Sequence, residues 1–246
     1  MGPGRWAVLR AVLLAVLSAG EARAYRPFDE TDADVAELHV LELEFGPLQL
    51  QRSAGFTAYV PTLILNLGVL PGWELVVDAL GSVPVGSPRA PGATGQLETG
   101  LALKGVVRRG SLQGGEGPSV AIEPELLIPS TAAPSAFGVA AGLIISQRWP
   151  ALTVHLNLVP AWSRAHEAAV LAGVIVEGPN DWVVRPVGET YVEAEHGAAA
   201  LTVSGLVGLI WRASPGVTLD GALRVATVDA AALIELRLGL TWDVSL

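Results

Sequence analysis

The side chains of this chain that could do chemistry are charged residues set two apart in otherwise apolar runs. Arg185, Glu189 and Glu193 share one parity, as do Glu123 with Glu125, and Glu235 with Arg237. Lys104 with Arg108, and Arg224, sit in similar runs, and Glu42, Glu44, Glu74, Asp78 and Asp220 repeat the pattern. On an extended strand this spacing puts the charges on one face and the apolar neighbours on the other. In a dry core each unpaired ion would cost roughly several kcal/mol. A watery or mutually paired lumen avoids that cost. Arg185, Glu189, Arg224, Glu235 and Arg237, all on the last strands, are the expected constriction of such a lumen. The alternative is a salt-bridged interior that only keeps the structure rigid.

Bond-making chemistry finds little support. His155 and Asn157 fall on one face two residues apart. Hydrolases on twelve-strand barrels use a serine polarised by such a pair, but no serine here is marked by a motif, so no enzyme and no catalytic residue is expected. Glu195-His196 is one adjacent pair, short of the three or four ligands of a zinc site, so no metal is assigned. The glycines of Gly110–Gly117 precede no helix, which excludes a phosphate loop, and no cofactor is expected. The chain has no cysteine, so disulfides and thiolate sites are excluded.

The elements that must position these charges are strands. From Leu233 to Leu246 every even residue is apolar (Ile234, Leu236, Leu238, Leu240, Trp242, Val244, Leu246), while the odd ones are mostly polar or small. Soluble strands average about five or six residues, and a strand tilted through a bilayer needs roughly nine to eleven. Similar runs are expected near 38–45, 55–68, 73–83, 97–109, 119–128, 137–148, 152–162, 168–177, 182–195, 201–212 and 217–227. With the closing stretch they make about twelve, and bacterial single-chain barrels have an even number of antiparallel strands. The fold class expected is all-β, an antiparallel transmembrane β-barrel. Pro61, Pro124, Pro160 and Pro186 fall inside these strands and demand bulges or strand ends, since a closed barrel offers no free edge.

Loops and aromatics agree with the barrel. Leu70-Pro71-Gly72, Pro150, Gly178-Pro179-Asn180 and Ala213-Ser214-Pro215 are short, as periplasmic turns are, and the long Pro84–Gly95 loop falls on the other side. Trp73, Trp149, Trp162, Trp182, Trp211 and Trp242 lie at or near strand ends. They read as a membrane-interface belt, five at the periplasmic rim and Trp162 at the outer one. A secreted β-sandwich, in which Trp merely ends strands, is the competing fold.

The N-terminus reads as a secretory signal over residues 1–24: Arg5 and Arg10, an apolar run Ala11–Leu17, then Ala22-Arg23-Ala24. Its removal takes the 15 basic and 24 acidic residues to 12 and 23, a net charge of −11. That sign argues against nucleic acid or an anionic lipid surface as partner. Residues 25–37 form an acidic leader, expected as a solvated tail, with a lumen plug as the alternative. The barrel then spans 38–246. Half the chain is apolar (51%, mean hydropathy +0.48), yet the uncharged stretches Ser53–Trp73 and Pro129–Gln147 carry prolines that would break a spanning helix.

Several phrases resemble an outer-membrane family, the MetA-pathway phenol-degradation proteins, whose members are called transporters. They are Arg26-Pro27-Phe28 with its acidic sequel, Leu41-Glu42-Leu43-Glu44, Leu152 to Leu158, Arg185-Pro186-Val187-Gly188-Glu189 and Leu238-Gly239-Leu240-Thr241-Trp242. The resemblance implies a barrel in the outer membrane of a Gram-negative cell that passes small, hydrophobic or aromatic molecules. Its partners would be outer-membrane lipid, a small-molecule solute and the barrel-assembly machinery during insertion. Such barrels usually end on an aromatic residue, and this chain ends on Leu246.

Overall fold

The computed structural model describes residues 26–53, 55–85, 95–131, 135–196, 200–228 and 231–246. The signal segment and most of the Pro84–Gly95 loop lie outside these. Twelve antiparallel strands close into a barrel, each paired with its sequence neighbours and β1 with β12. The strands are β1 (Val40–Arg52), β2 (Phe56–Leu70), β3 (Trp73–Val85), β4 (Gln96–Arg108), β5 (Ser119–Ile128) and β6 (Gly138–Arg148). They continue as β7 (Thr153–Trp162), β8 (Ala168–Glu177), β9 (Val184–Glu195), β10 (Ala200–Ser214), β11 (Val217–Val228) and β12 (Ala231–Ser245). A short 3-10 turn, Ser111–Gln113, sits between β4 and β5. Among the described residues no helix is long and apolar enough to cross a membrane.

Alternation decides the two faces. On β12, Glu235 and Arg237 are 1% and 4% exposed, whereas Leu236 and Leu238 between and after them are 43% and 42% exposed. The same contrast runs round the barrel, with Leu101, Leu103, Leu156, Leu158, Val207 and Leu209 outward. A closed sheet has no edge, so every strand must choose one apolar and one polar face in phase with its neighbours.

β1 is longer than its sequence pattern indicates, and the reason is a bulge. Its outward residues switch parity from Leu41, Leu43 and Phe45 to Leu48 and Leu50, and the pairing with β12 shifts between Phe45 and Leu48. Gln49 and Gln51 thereby face inward, opposite Arg237 and Glu235. A strict two-residue pattern stops at Gly46-Pro47; the strand does not.

The four prolines expected inside strands are accommodated in different ways. Pro61 lies at a register shift between β2 and β3. Pro186 lies beyond the last β8 partner of β9, where its carbonyl accepts from Gly178 N. At Pro124 and Pro160 the register is unbroken. The ladder simply omits Leu103 and Lys104 opposite Pro124 and Glu123, and Ala141 and Gly142 opposite Pro160 and Val159. Both prolines remain paired on their other side. Two prolines therefore need neither a bulge nor a strand end, which corrects the sequence expectation: losing a local stretch of hydrogen bonds on one side suffices.

The larger correction concerns the leader. Residues 26–37 are no solvated tail; they run through the lumen. Arg26, Glu30, Ala33 and Asp34 are all buried, Ala33 completely. The chain turns into β1 at Val40, and the backbone of Leu246 closes that rim by donating to His39 O at 2.8 Å. The rim carrying the start of β1 and the end of β12 is called the terminal rim below.

Candidate functional site

The lumen and the segment within it form the site. A segment with no regular structure must still satisfy its backbone N–H groups. Here inward strand side chains do so. Arg26 N donates to Glu44 Oε2 (3.1 Å), Asp29 N to both Glu189 carboxylate oxygens (3.1 and 3.0 Å) and Glu30 N to Glu189 Oε1 (2.9 Å). Ala33 N donates to Ser146 Oγ (2.9 Å), and Ala36 N to Glu74 Oε2 (2.5 Å). Segment carbonyls are used as well: Arg237 Nη1 donates to Pro27 O (2.8 Å), Asn157 Nδ2 to Thr31 O (2.9 Å) and Gln113 Nε2 to Ala33 O (2.8 Å).

Charge completes the docking. Asp29 receives Arg237 Nη2 at 2.6 Å and Arg224 Nε at 3.1 Å. Glu235 lies between the same two guanidinium groups, 3.3 Å from Arg224 Nη1 and hydrogen-bonded to Arg237 Nε. Arg224 also meets the Tyr191 hydroxyl and lies over its ring. Lys104 holds Thr31 Oγ1 (3.0 Å), Asp32 (3.6 Å) and Glu74 (3.7 Å). Arg26 reaches Asp220 with Nε (3.7 Å) and Leu238 O with Nη2 (3.4 Å). It fits there because Gly46 faces it: a Cβ at that position would stand 2.8 Å from both Arg26 Nη1 and Nη2.

Glu189, Arg224, Glu235 and Arg237 are thus brought together, but around Asp29 rather than around open water. Lys104 joins the same segment two residues further on. Glu123 and Glu125 line a chamber of about 370 Å³ beside the segment, together with Asp78, Ile64, Leu80 and Val159. Glu193 is half-buried on the inward face of β9. Arg185 stands apart from the cluster, near the terminal rim, with Nη2 3.1 Å from Glu177 Oε2 and Nη1 2.7 Å from Asn180 Oδ1. Arg108 is not with the lumen charges at all. A register shift after Val106 leaves it exposed, bonded to the carbonyls of Glu116 and Pro118 in the next turn. A second chamber, of about 630 Å³, opens at the terminal rim and is lined by Asp34, Glu37, Arg109, Gln113 and Arg148 among others.

Sequence reasoning missed the segment's own contribution, above all Arg26, Asp29 and Thr31, and the strand residues Ser146, Glu177 and Asn66, whose Nδ2 donates to Glu44 Oε1 at 2.8 Å. The signal was present as the acidic run after Arg26-Pro27-Phe28, but no periodicity says where such a run docks. Trp149, Trp182, Trp211 and Trp242 lie exposed near the terminal rim, as does Trp73, half-buried over Gly105; Trp162 is exposed at the opposite rim. No group of three or more His, Cys, Asp or Glu is arranged to hold a metal among the described residues.

No family model matches the chain, and no curated sequence is similar to it. Solved structures do resemble it. An outer membrane channel from Pseudomonas putida F1 superposes with a TM-score of 0.65 at 11% identity, covering 88% of this chain and 99% of its own. KdgM porin in complex with disordered oligogalacturonate gives 0.54 at 12% identity, covering 82% and 98%. At such identities the likeness is one of fold. What the chain shares with them is a closed β-barrel, built here from twelve antiparallel strands.

Proposed function

We propose that the chain is an outer-membrane channel for passive passage of small molecules, closed in this state by residues 26–37. The observation that carries this is the layering: an apolar exterior, a charged lumen, and two chambers each lined in part by a segment held through polar contacts. Lipid would cover the outward Leu and Val faces, with the tryptophans at the interfaces. Export through a signal peptide of residues 1–24, and insertion by the barrel-assembly machinery acting on β12, belong to the same reading.

The chamber beside Asp29–Thr31 combines carboxylates (Asp78, Glu123, Glu125) with aliphatic walls (Ile64, Leu80, Val159). It favours small neutral or cationic solutes with an apolar part and disfavours anions. Hydrophobic or aromatic solutes, implied by the family resemblance, fit those walls. The second reading is a structural barrel with a closed lumen, favoured by the number of bonds that hold the segment.

Planar-bilayer recording separates the two. The mature chain should give discrete conductance steps, and deletion of residues 25–37 should raise the conductance or the open fraction. Silence from both proteins, with folding confirmed by heat-modifiable gel migration, would leave the structural reading in place.

A further inference from the structure

Three residues on neighbouring strands form a hydrogen-bonded chain that ends on the lumen segment. Ser146 Oγ on β6 lies 2.8 Å from His155 Nδ1 on β7, and His155 Nε2 lies 3.1 Å from Glu177 Oε1 on β8. The other oxygen of Glu177 is engaged by Arg185 at 3.1 Å. A carboxylate at Nε2 places the ring proton there, so Nδ1 accepts and the Ser146 hydroxyl donates to it. The hydroxyl oxygen is thereby turned toward the segment, where it accepts the Ala33 N–H at 2.9 Å.

The setting makes that bond selective. Ala33 packs with Leu112, Ala121 and Ile144 in a fully buried cluster. Water is excluded there, so an unanswered Ala33 N–H has no substitute acceptor. Ser-His-Glu is also the composition of nucleophile systems. Here, however, Ser146 is wholly buried, its acceptor oxygen is taken by a peptide N–H, and neither lumen chamber includes it in its lining. Nothing the size of an acyl group fits while the segment is seated.

We propose that Ser146, His155 and Glu177 form a latch that holds residues 26–37 in the lumen at Ala33. Ser146 makes the contact, and His155 and Glu177 are positioning residues that aim its hydroxyl. The latch stands on this geometry; its effect on passage rests on the channel reading above.

Hydrogen–deuterium exchange of the full mature chain in bilayer discs tests it, following the peptide that contains Ala33. Ser146→Ala should speed exchange there about tenfold, the worth of one lost buried hydrogen bond. Ser146→Thr, which keeps a hydroxyl, should retain protection. His155→Ala should speed exchange alone but add nothing in the Ser146→Ala background. Unchanged protection in Ser146→Ala, or a further full increase from His155→Ala upon it, would overturn the latch. So would covalent labelling of Ser146 by an alkyl fluorophosphonate in the intact chain. If Ser146→Ala does not fold, Glu177→Leu, which removes the acceptor at His155 Nε2, reads the same aim of the hydroxyl and must also speed exchange. Conductance recorded on the same variants keeps the two ideas apart: faster exchange with unaltered conductance retains the latch and removes the segment as the element that closes the channel, while silence from every variant removes the channel reading itself.

Discussion

Arg237 Nη2 donates to Asp29 Oδ1 at 2.6 Å, joining the closing strand to the lumen segment across 208 positions of sequence. Arg237 is 4% exposed, and its remaining donors go to Glu235 and to Pro27 O. One guanidinium therefore ties strand charge to segment backbone and segment charge together. Without Asp29, Arg237 keeps Glu235 as its partner, so the loss falls on the hold over the segment rather than on the strand charge.

Asp29→Asn is therefore expected to release the segment more than to unfold the barrel. Conductance recording should show a larger open fraction, while heat-modifiable migration stays intact. The double variant Asp29→Asn, Arg237→Gln should be less than additive, because each change removes the same contact. Full additivity would show that the two do not act through each other.

Glu30 should make closure depend on pH. Burial, and then Glu189 and Asp29 beside it, push its carboxyl up to about 8, with Glu123 and Glu193 adding to the effect. Arg224 and Arg237, the cations at the neighbouring Asp29, are bound by Asp29 and Glu235. A raised value means that the seated segment favours the neutral acid. Docking is then strongest below the ordinary carboxylate value near 4.5 and weakens as pH rises through about 8. The open fraction should climb over that window, and Glu30→Gln should flatten the climb. An equal pH response in Glu30→Gln would assign the effect elsewhere.

Ion selectivity should follow the carboxylates of the lumen chamber. Asp78, Glu123 and Glu125 share its wall, while its cations Arg26, Lys104 and Arg237 are engaged with Asp220, with Asp32 and Glu74, and with Asp29 and Glu235. The residual charge is negative, so the reversal potential in a salt gradient should report cation preference. Neutralising all three carboxylates should move it toward zero. Arg185→Glu should strengthen the preference if the terminal-rim pathway passes Arg185, and an unaltered potential would remove that residue from the path.

The outward face should reject charge. Leu238 is flanked by Leu48 and Gly221 on its neighbours and is exposed on the exterior. Leu238→Arg is expected to cost roughly 2–4 kcal/mol of folding free energy in a bilayer near the midplane. Reversible unfolding in lipid vesicles measures this; a cost near zero would argue that this face does not meet lipid.

Much of the barrel was legible in the chain because alternation is local. From β5 through β9 the expected strands match the observed ones to within one or two residues. The inward parity of Glu42, Glu123, Arg185, Glu189, Glu235 and Arg237 also follows from a period of two. Where that period breaks, legibility fails. The bulge at Pro47-Leu48 hid the second half of β1, and the shift beyond Val106 turned Arg108 out of the lumen.

What the sequence alone determined is therefore the wall: about twelve amphipathic strands and, wherever the period of two holds, which face of each is charged. Only the tertiary structure decided what those charges face. Glu189, Ser146 and Glu74 receive backbone N–H groups from a segment with no periodicity of its own, and Asp29 finds Arg224 and Arg237 only once β12 has closed on β1. Alternation is set by neighbouring residues, whereas docking is set by groups that ring closure brings together from opposite ends of the chain.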